Sequence, residues 1–294
     1  MSREMATHIE NSPQVEFVPL SEAIGLEIRG LDLSCELDPT TVAAIRRAWA
    51  ENSIILVRDQ DLTESDQLRF ARLFGNIAPR SRPPVEKRDF VPDPENPMHL
   101  VTDRVDEDGR RLGSLGHGEM WFHTDKCYEE RPHRASLLYA IEIPSSGGET
   151  RFASLYRAYD RMPASLKQRL EGRRVLQVYD FTTSTVANVE HRLDELMHHW
   201  QPIFVTNPDT GLKAVYVSRL MSVRIEGMDQ TESDDVLAAL WDIIEHPDNI
   251  YEHRWRAGDI IMWDNLSSLH ARNTWPDDER RTLRRCTVEG EALS

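Results

Sequence analysis

His123-Thr124-Asp125, answered far along the chain by His270 and then Arg281, is the residue set with the clearest chemistry. In an extended strand, side chains two positions apart point to the same side, so an imidazole and a carboxylate can bind one ion together. A histidine from a distant strand would complete a facial set of two histidines and one carboxylate. That set leaves three positions of an octahedral iron open on one side, which is what oxygen activation needs. Arg281, 11 residues past His270, is a fork of donors suited to a carboxylate-bearing co-substrate on the open face.

The chain has 11 histidines, so an isolated His-x-Asp says little. The ordered series Gly147-Gly148-Glu149-Thr150, Trp263-Asp264-Asn265, His270, Arg281 and Arg285 says more. In a strand running from Arg281 to Val288, alternation puts Arg281, Leu283, Arg285 and Thr287 on one face, with Arg280, Arg284 and Cys286 opposite. Two arginines turned inward must be neutralised, because an unpaired buried charge is expensive. A co-substrate carboxylate would answer Arg281. Arg285 would then face either a substrate anion or an internal acid. Trp121 and Phe122 directly precede His123 and are candidates for the pocket wall or for ordinary core. His198-His199-Trp200 has no acid or cysteine at ligand spacing and reads as loop surface, and Cys127 reads as a packed thiol.

Together with Gly25-Leu-Glu-Ile-Arg-Gly-Leu-Asp-Leu33 and Leu73-Phe-Gly75, these motifs resemble the taurine dioxygenase and 2,4-dichlorophenoxyacetate dioxygenase family of iron(II)- and 2-oxoglutarate-dependent oxygenases, from Val15 to Gly290. The resemblance implies that His123, Asp125 and His270 bind iron(II), and that Thr150 and Arg281 hold the distal carboxylate of 2-oxoglutarate. It also implies that Arg285 contacts a sulfonate or carboxylate of the substrate, with Phe181 as a substrate-facing aromatic. Hydroxylation of an unactivated C–H bond would follow, with O2 consumed and succinate and CO2 released. Desaturation, cyclisation or epimerisation on the same site, in a biosynthetic pathway, is the alternative outcome. A non-catalytic β-sandwich binding module is a third reading. The family's Trp-Asp-Asn run commonly continues with Arg; here Leu266 follows. The resemblance implies self-association into a dimer or tetramer as well.

The elements that must position these residues read as mainly β with added helices, a double-stranded β-helix (jelly-roll, cupin-like) core. Residues 1–14 are predicted to be a mobile arm and 15–294 a single domain. Val42, Ile45 and Trp49 make one stripe of a helix over Thr40–Glu51, and a second helix over Glu64–Phe74 stops at Gly75. Ala135–Ile143 alternates as a strand with Ala135, Leu137, Tyr139, Ile141 and Ile143 on one face. Further strands are expected at Ser53–Arg58, Arg174–Asp180, Pro202–Asn207, Ala214–Ser218, Ile260–Trp263 and Thr282–Val288, with a helix over Thr231–His246. Pro79–Glu119 and Thr182–Trp200 lack sustained periodicity and are expected to form the rim of the site.

A net charge of −15 argues against nucleic acid as a partner. No apolar run approaches a membrane span. Met1–Val15 has no signal-type core, and three widely spaced cysteines point to reduced thiols, hence a cytoplasmic location.

Overall fold

A computed structural model describes residues 15–80, 97–109, 112–114, 118–180, 183–185 and 193–294. The arm predicted over residues 1–14 and the candidate Phe181 lie outside them. The chain first lays down β1 (Glu16–Pro19), β2 (Leu26–Arg29), α1 (Pro39–Asn52), β3 (Ile54–Val57) and α2 (Glu64–Arg72). There follow β4 (His99–Val101), β5 (Gly113–Ser114), β6 (Met120–His123), β7 (Ala135–Glu142), β8 (Thr150–Ser154), α3 (Leu155–Arg161) and α4 (Ala164–Leu170). Next come β9 (Arg174–Tyr179), β10 (Met197–Pro202), β11 (Phe204–Thr206), β12 (Lys213–Val215), β13 (Ser222–Ile225) and α5 (Gln230–Ile244). β14 (Ile250–His253), β15 (Ile260–Asp264), β16 (Ser268–Arg272) and β17 (Thr282–Val288) complete it.

Local signals set the helix starts. The Asp38 carboxylate accepts from the amides of Thr40 and Thr41, and Thr63 with Asp66 forms a reciprocal capping box at α2. The main sheet runs β1-β2-β3-β15-β7-β17-β4-β5, taking strands from both ends of the chain. A smaller sheet runs β14-β8-β16-β6 and lies against its inner face.

Alternation explains the layering. Ile55, Val57, Leu137, Tyr139, Met262 and Cys286 point from the main sheet to α1 and α2. Ile54, Leu56, Leu138, Ala140, Ile261, Trp263 and Leu283 point the other way and meet Phe152 of β8. The small sheet turns its opposite side, Phe122, Ala153, Leu269 and Ala271, onto the cluster built with α3 and α5. A jelly-roll core with helices on both outer sides is the result.

Three expectations change. The Ala135–Ile143 face holds through Tyr139, but Ile141 is exposed and Ile143 packs with the inner cluster, because β7 ends at Glu142. His198-His199-Trp200 is surface but not loop: it lies in β10, which pairs along β9 from Met197↔Tyr179 to Pro202↔Arg174. An available apolar strand, not local propensity, recruits it. Within Pro79–Glu119, residues 99–101 and 113–114 form β4 and β5, with β4 completing the sheet beside β17 through Arg285↔His99.

Candidate metal and co-substrate site

β6 and β16 pair antiparallel with His123 directly opposite His270, which brings the imidazole rings to 4.1 Å between centroids. His123 ends its strand, so Asp125 lies just past it rather than on it; Lys126 follows with φ 58°, turning the chain away. One ligand atom each from His123, Asp125 and His270 fits within 4.8 Å of the others, and all three residues are buried. His270 Nε2 is 3.9 Å from Asp125 Oδ1. His123 Nδ1 lies 2.8 Å from the Trp121 carbonyl, so it donates there and leaves the Nε2 lone pair for an ion.

Electrostatics suit a divalent cation. Burial, with weaker like-charge repulsion, keeps His123 below the ordinary histidine range and His270 well below it, so both imidazoles are neutral ligands. Burial works against the Asp125 charge, but the Arg285 cation outweighs it and holds that carboxyl well below the usual range. Two neutral imidazoles and an ionised carboxylate converging within 4.8 Å of one another fit iron(II) as a ligand set.

The main sheet supplies the groups that hold Asp125. Ser136 of β7 donates to Asp125 Oδ2, and Arg285 forms an ion pair with that same oxygen. Ser136 Oγ also accepts from Asn265 Nδ2 and Arg285 Nη2, each at 3.2 Å. Thr124 Oγ1 donates to the Asn265 carbonyl at 2.8 Å, and Trp263 Nε1 donates to Asn265 Oδ1 at 3.0 Å. The Trp-Asp-Asn run thus acts through Asn265, which braces the Ser136–Asp125 contact. Asp264 turns away to Arg134 and Asn207, and Leu266, at the position where the family commonly has Arg, is buried core.

Arg281 is 2 % exposed, yet among the described residues no acid pairs with it. Its Nε donates to the Gly148 carbonyl at 3.0 Å and its guanidinium carbon lies 5.4 Å from the Trp275 ring centroid. Burial and the nearby Arg272 cation push its ionisation down to about 9, although a guanidinium remains charged at neutral pH. The glycine pair makes room for it. Gly148 has φ +70°, and a Cβ there would stand 3.0 Å from Arg281 Cδ and Nε; one on Gly147 would stand 2.5 Å from the Thr274 carbonyl. Thr150 is buried on the same side, its Cα registered against Arg272 of β16.

Several residues here escaped the sequence reading. Ser136, Arg272, Trp255, His99 and His133 join the site through tertiary register. Arg272 carried a signal: two residues past His270 on one strand, it shares that face. Buried nitrogens of His99 (Nδ1), His133 (Nδ1) and Arg285 (Nε) have no hydrogen-bond partner among the described residues. Burial, with Arg285 adding repulsion, holds His99 well below its ordinary range, and burial takes His133 down to about 4. Phe122 belongs to the outer core; Trp121 is half-buried, with Arg219 at 5.8 Å from its ring. Cys127 is a packed thiol. The two rim segments meet beside β6: Trp121 N donates to the Ser184 carbonyl at 3.0 Å and Ser184 Oγ to the Glu119 carbonyl at 2.8 Å.

Comparison with known proteins agrees with this geometry. The model of the taurine catabolism dioxygenase TauD, TfdA family matches residues 16–287. Pentalenolactone F synthase of Streptomyces avermitilis is 32% identical, over 90% of each chain. The alpha-ketoglutarate-dependent 2,4-dichlorophenoxyacetate dioxygenase of Cupriavidus pinatubonensis is 30% identical, over 94% of this chain and 98% of that one. A taurine dioxygenase structure from Burkholderia xenovorans superposes with a TM-score of 0.77 at 26% identity, over 96% and 93% of the two chains. The chain belongs to the TauD/TfdA family and is an iron(II)- and 2-oxoglutarate-dependent dioxygenase.

Proposed function

We propose that His123, Asp125 and His270 hold the iron(II), that Arg281 and Thr150 hold the distal carboxylate of 2-oxoglutarate, and that Arg285 receives the anionic group of a small organic substrate. One observation carries the reading: Arg281 is buried with no acid partner among the described residues, and Arg272, two residues past the cluster member His270, acts with its charge on both Arg281 and His123. A desolvated cation of this kind is costly unless a ligand anion answers it.

Iron(II) bound there supplies oxygen activation coupled to decarboxylation of 2-oxoglutarate to succinate and CO2. The chain's own work is positioning. Ser136 and Arg285 occupy Asp125 Oδ2, which leaves Oδ1, the oxygen nearer His270, for the ion. The Trp121 carbonyl fixes the His123 ring. Trp263, 4.7 Å from the His270 ring, and Phe152 form an apolar floor that excludes water. Arg285 holds Asp125 through Nη2, faces His99 in register and keeps an Nε with no partner among the described residues, which makes it a fitting receiver for a carboxylate, sulfonate or sulfate ester. Relatives named alkylsulfatase (Acinetobacter baylyi, 30% identical over 99% of this chain and 90% of that one) and 2,4-dichlorophenoxyacetate dioxygenase support that class.

Hydroxylation of a C–H bond is the outcome favoured. Biosynthetic oxidation on the same site is the second reading, favoured by the 32% likeness to pentalenolactone F synthase. Residues 15–294 are read as one domain, and Trp121 and Phe181 as candidate walls of the substrate space. No helix among the described residues is long and apolar enough to cross a membrane; a cytoplasmic location, no nucleic-acid partner, and a dimer or tetramer complete the reading.

Succinate release across a panel of aryloxycarboxylates, sulfonates, sulfate esters and neutral lactones tests it. Anionic compounds should stimulate turnover, and Arg285→Leu should raise their KM. Better turnover with neutral lactones, unchanged in Arg285→Leu, would contradict the anion assignment.

A further inference from the structure

We infer that Trp255 is a positioning residue for the co-substrate: its indole N–H fixes the Thr150 hydroxyl so that the hydroxyl's one proton points at the 2-oxoglutarate carboxylate. The inference rests on the reading of Thr150 and Arg281 as the co-substrate pair. Trp255 Nε1 donates to Thr150 Oγ1 at 3.0 Å, and both side chains are buried. Indole is a donor only, whereas a hydroxyl carries one proton and two lone pairs. With a lone pair engaged by Trp255, the threonine proton is free to serve an acceptor. A carboxylate is acceptor-only, so the polarity matches. Without the indole, the hydroxyl can turn to a backbone carbonyl, an alternative threonine readily takes.

The indole is held by more than its own hydrogen bond. His253 meets it edge-on, with ring centroids 4.6 Å apart and planes at 89°. His253 is fully buried and pinned at both nitrogens: Nδ1 lies 3.0 Å from the Tyr251 hydroxyl and Nε2 3.1 Å from Asp259 Oδ2. Since the carboxylate can only accept, Nε2 carries the proton and Nδ1 accepts from Tyr251. Arg58 Nη1 anchors Asp259 at 2.8 Å. His253 is also the register partner of Thr150 across β14 and β8. A rigid pillar thus runs from the end of β3 to the one hydroxyl assigned to the co-substrate, and each member has a partner that fixes its orientation.

The test is calorimetric 2-oxoglutarate binding to anaerobic iron(II)-loaded protein, with pyruvate, a 2-oxo acid lacking the distal carboxylate, as control. Trp255→Phe should weaken 2-oxoglutarate about three- to tenfold, the scale of one lost hydrogen bond. It should leave pyruvate and iron affinity unchanged, and add nothing in a Thr150→Val background. Trp255→Leu, which also lacks a donor, carries the same expectation should the phenylalanine variant not fold. Unchanged 2-oxoglutarate binding, a loss that adds fully to Thr150→Val, or a parallel loss for pyruvate would overturn the inference. If Thr150→Val and Arg281→Met themselves bind normally, the co-substrate assignment fails, and this inference with it.

Discussion

Replacing Arg281 by methionine should move stability and co-substrate affinity in opposite directions. In the protein without ligands, this guanidinium is 2 % exposed, makes one hydrogen bond, to the Gly148 carbonyl, and has no acid partner among the described residues. An uncompensated buried cation costs several kcal/mol after relaxation. Methionine keeps most of the apolar stem and its packing on Trp275, but strands the Gly148 carbonyl at a cost of about 1–3 kcal/mol. The balance is a ligand-free variant about 1–2 kcal/mol more stable than the parent. That corresponds to a rise of about 2–6 °C in Tm for a chain of this size. Binding goes the other way. Losing a buried charge-paired partner costs about 2–5 kcal/mol, so 2-oxoglutarate should bind about 30- to several-thousand-fold more weakly. Thermal melts with and without 2-oxoglutarate, in the manganese(II)-loaded protein, read both effects. At a hundred times Kd the parent should gain about 2.7 kcal/mol from the ligand, and the variant at that concentration less than about 1 kcal/mol. A variant that is less stable without ligand yet keeps its affinity would mean that Arg281 is a structural residue, and the cost argument would be wrong.

Three further outcomes are expected. Ser136→Ala removes the donor to Asp125 Oδ2; metal affinity should fall about tenfold, read by competition with a chromophoric chelator, and an unchanged affinity would show that Asp125 needs no brace. Burial holds His133 down to about 4, whereas in the unfolded chain it titrates near 6.5, so the unfolded state binds the extra proton between these values. Its contribution is therefore whole above about pH 6.5 and lost as pH falls toward 4, by up to about 3 kcal/mol; His133→Gln should flatten the slope in urea melts of the metal-free protein, and an unaltered slope would refute this. Cys35 is exposed while Cys127 and Cys286 are buried with thiols pushed up by burial; one thiol should react promptly with a disulfide reagent and two only on unfolding.

What the sequence disclosed follows a physical division. His123, Asp125, His270, Arg281 and Arg285 stand out because imidazole, carboxylate and guanidinium groups are rare inside a β-sandwich; alternation accounts for the inward turn of Arg285, whereas Asp125 meets the two histidines from just past the end of β6. The two-faced pattern of β17 holds in the structure: Arg285 reaches Asp125, whereas Arg284 reaches Gln67 and the Leu62 carbonyl on the helix side. Ser136 could not be read this way. It is an ordinary serine until register sets it between Trp263 of β15 and Thr287 of β17, facing Asp125. Trp255 likewise gains meaning only from the Thr150 hydroxyl reached across the β14–β8 pair. β4 and β10 were missed because their residues have weak strand preference; β17 and β9 supply the edges that make them strands.

The most direct test is an anaerobic titration of iron(II) and 2-oxoglutarate into the metal-free protein, following the visible charge-transfer band of the chelate, with His123→Ala and Arg281→Met alongside. The account predicts a band in the parent, none in His123→Ala, and one in Arg281→Met that needs far more 2-oxoglutarate to develop. A folded parent that gives no band, or a His123→Ala variant that gives the full band, would contradict it.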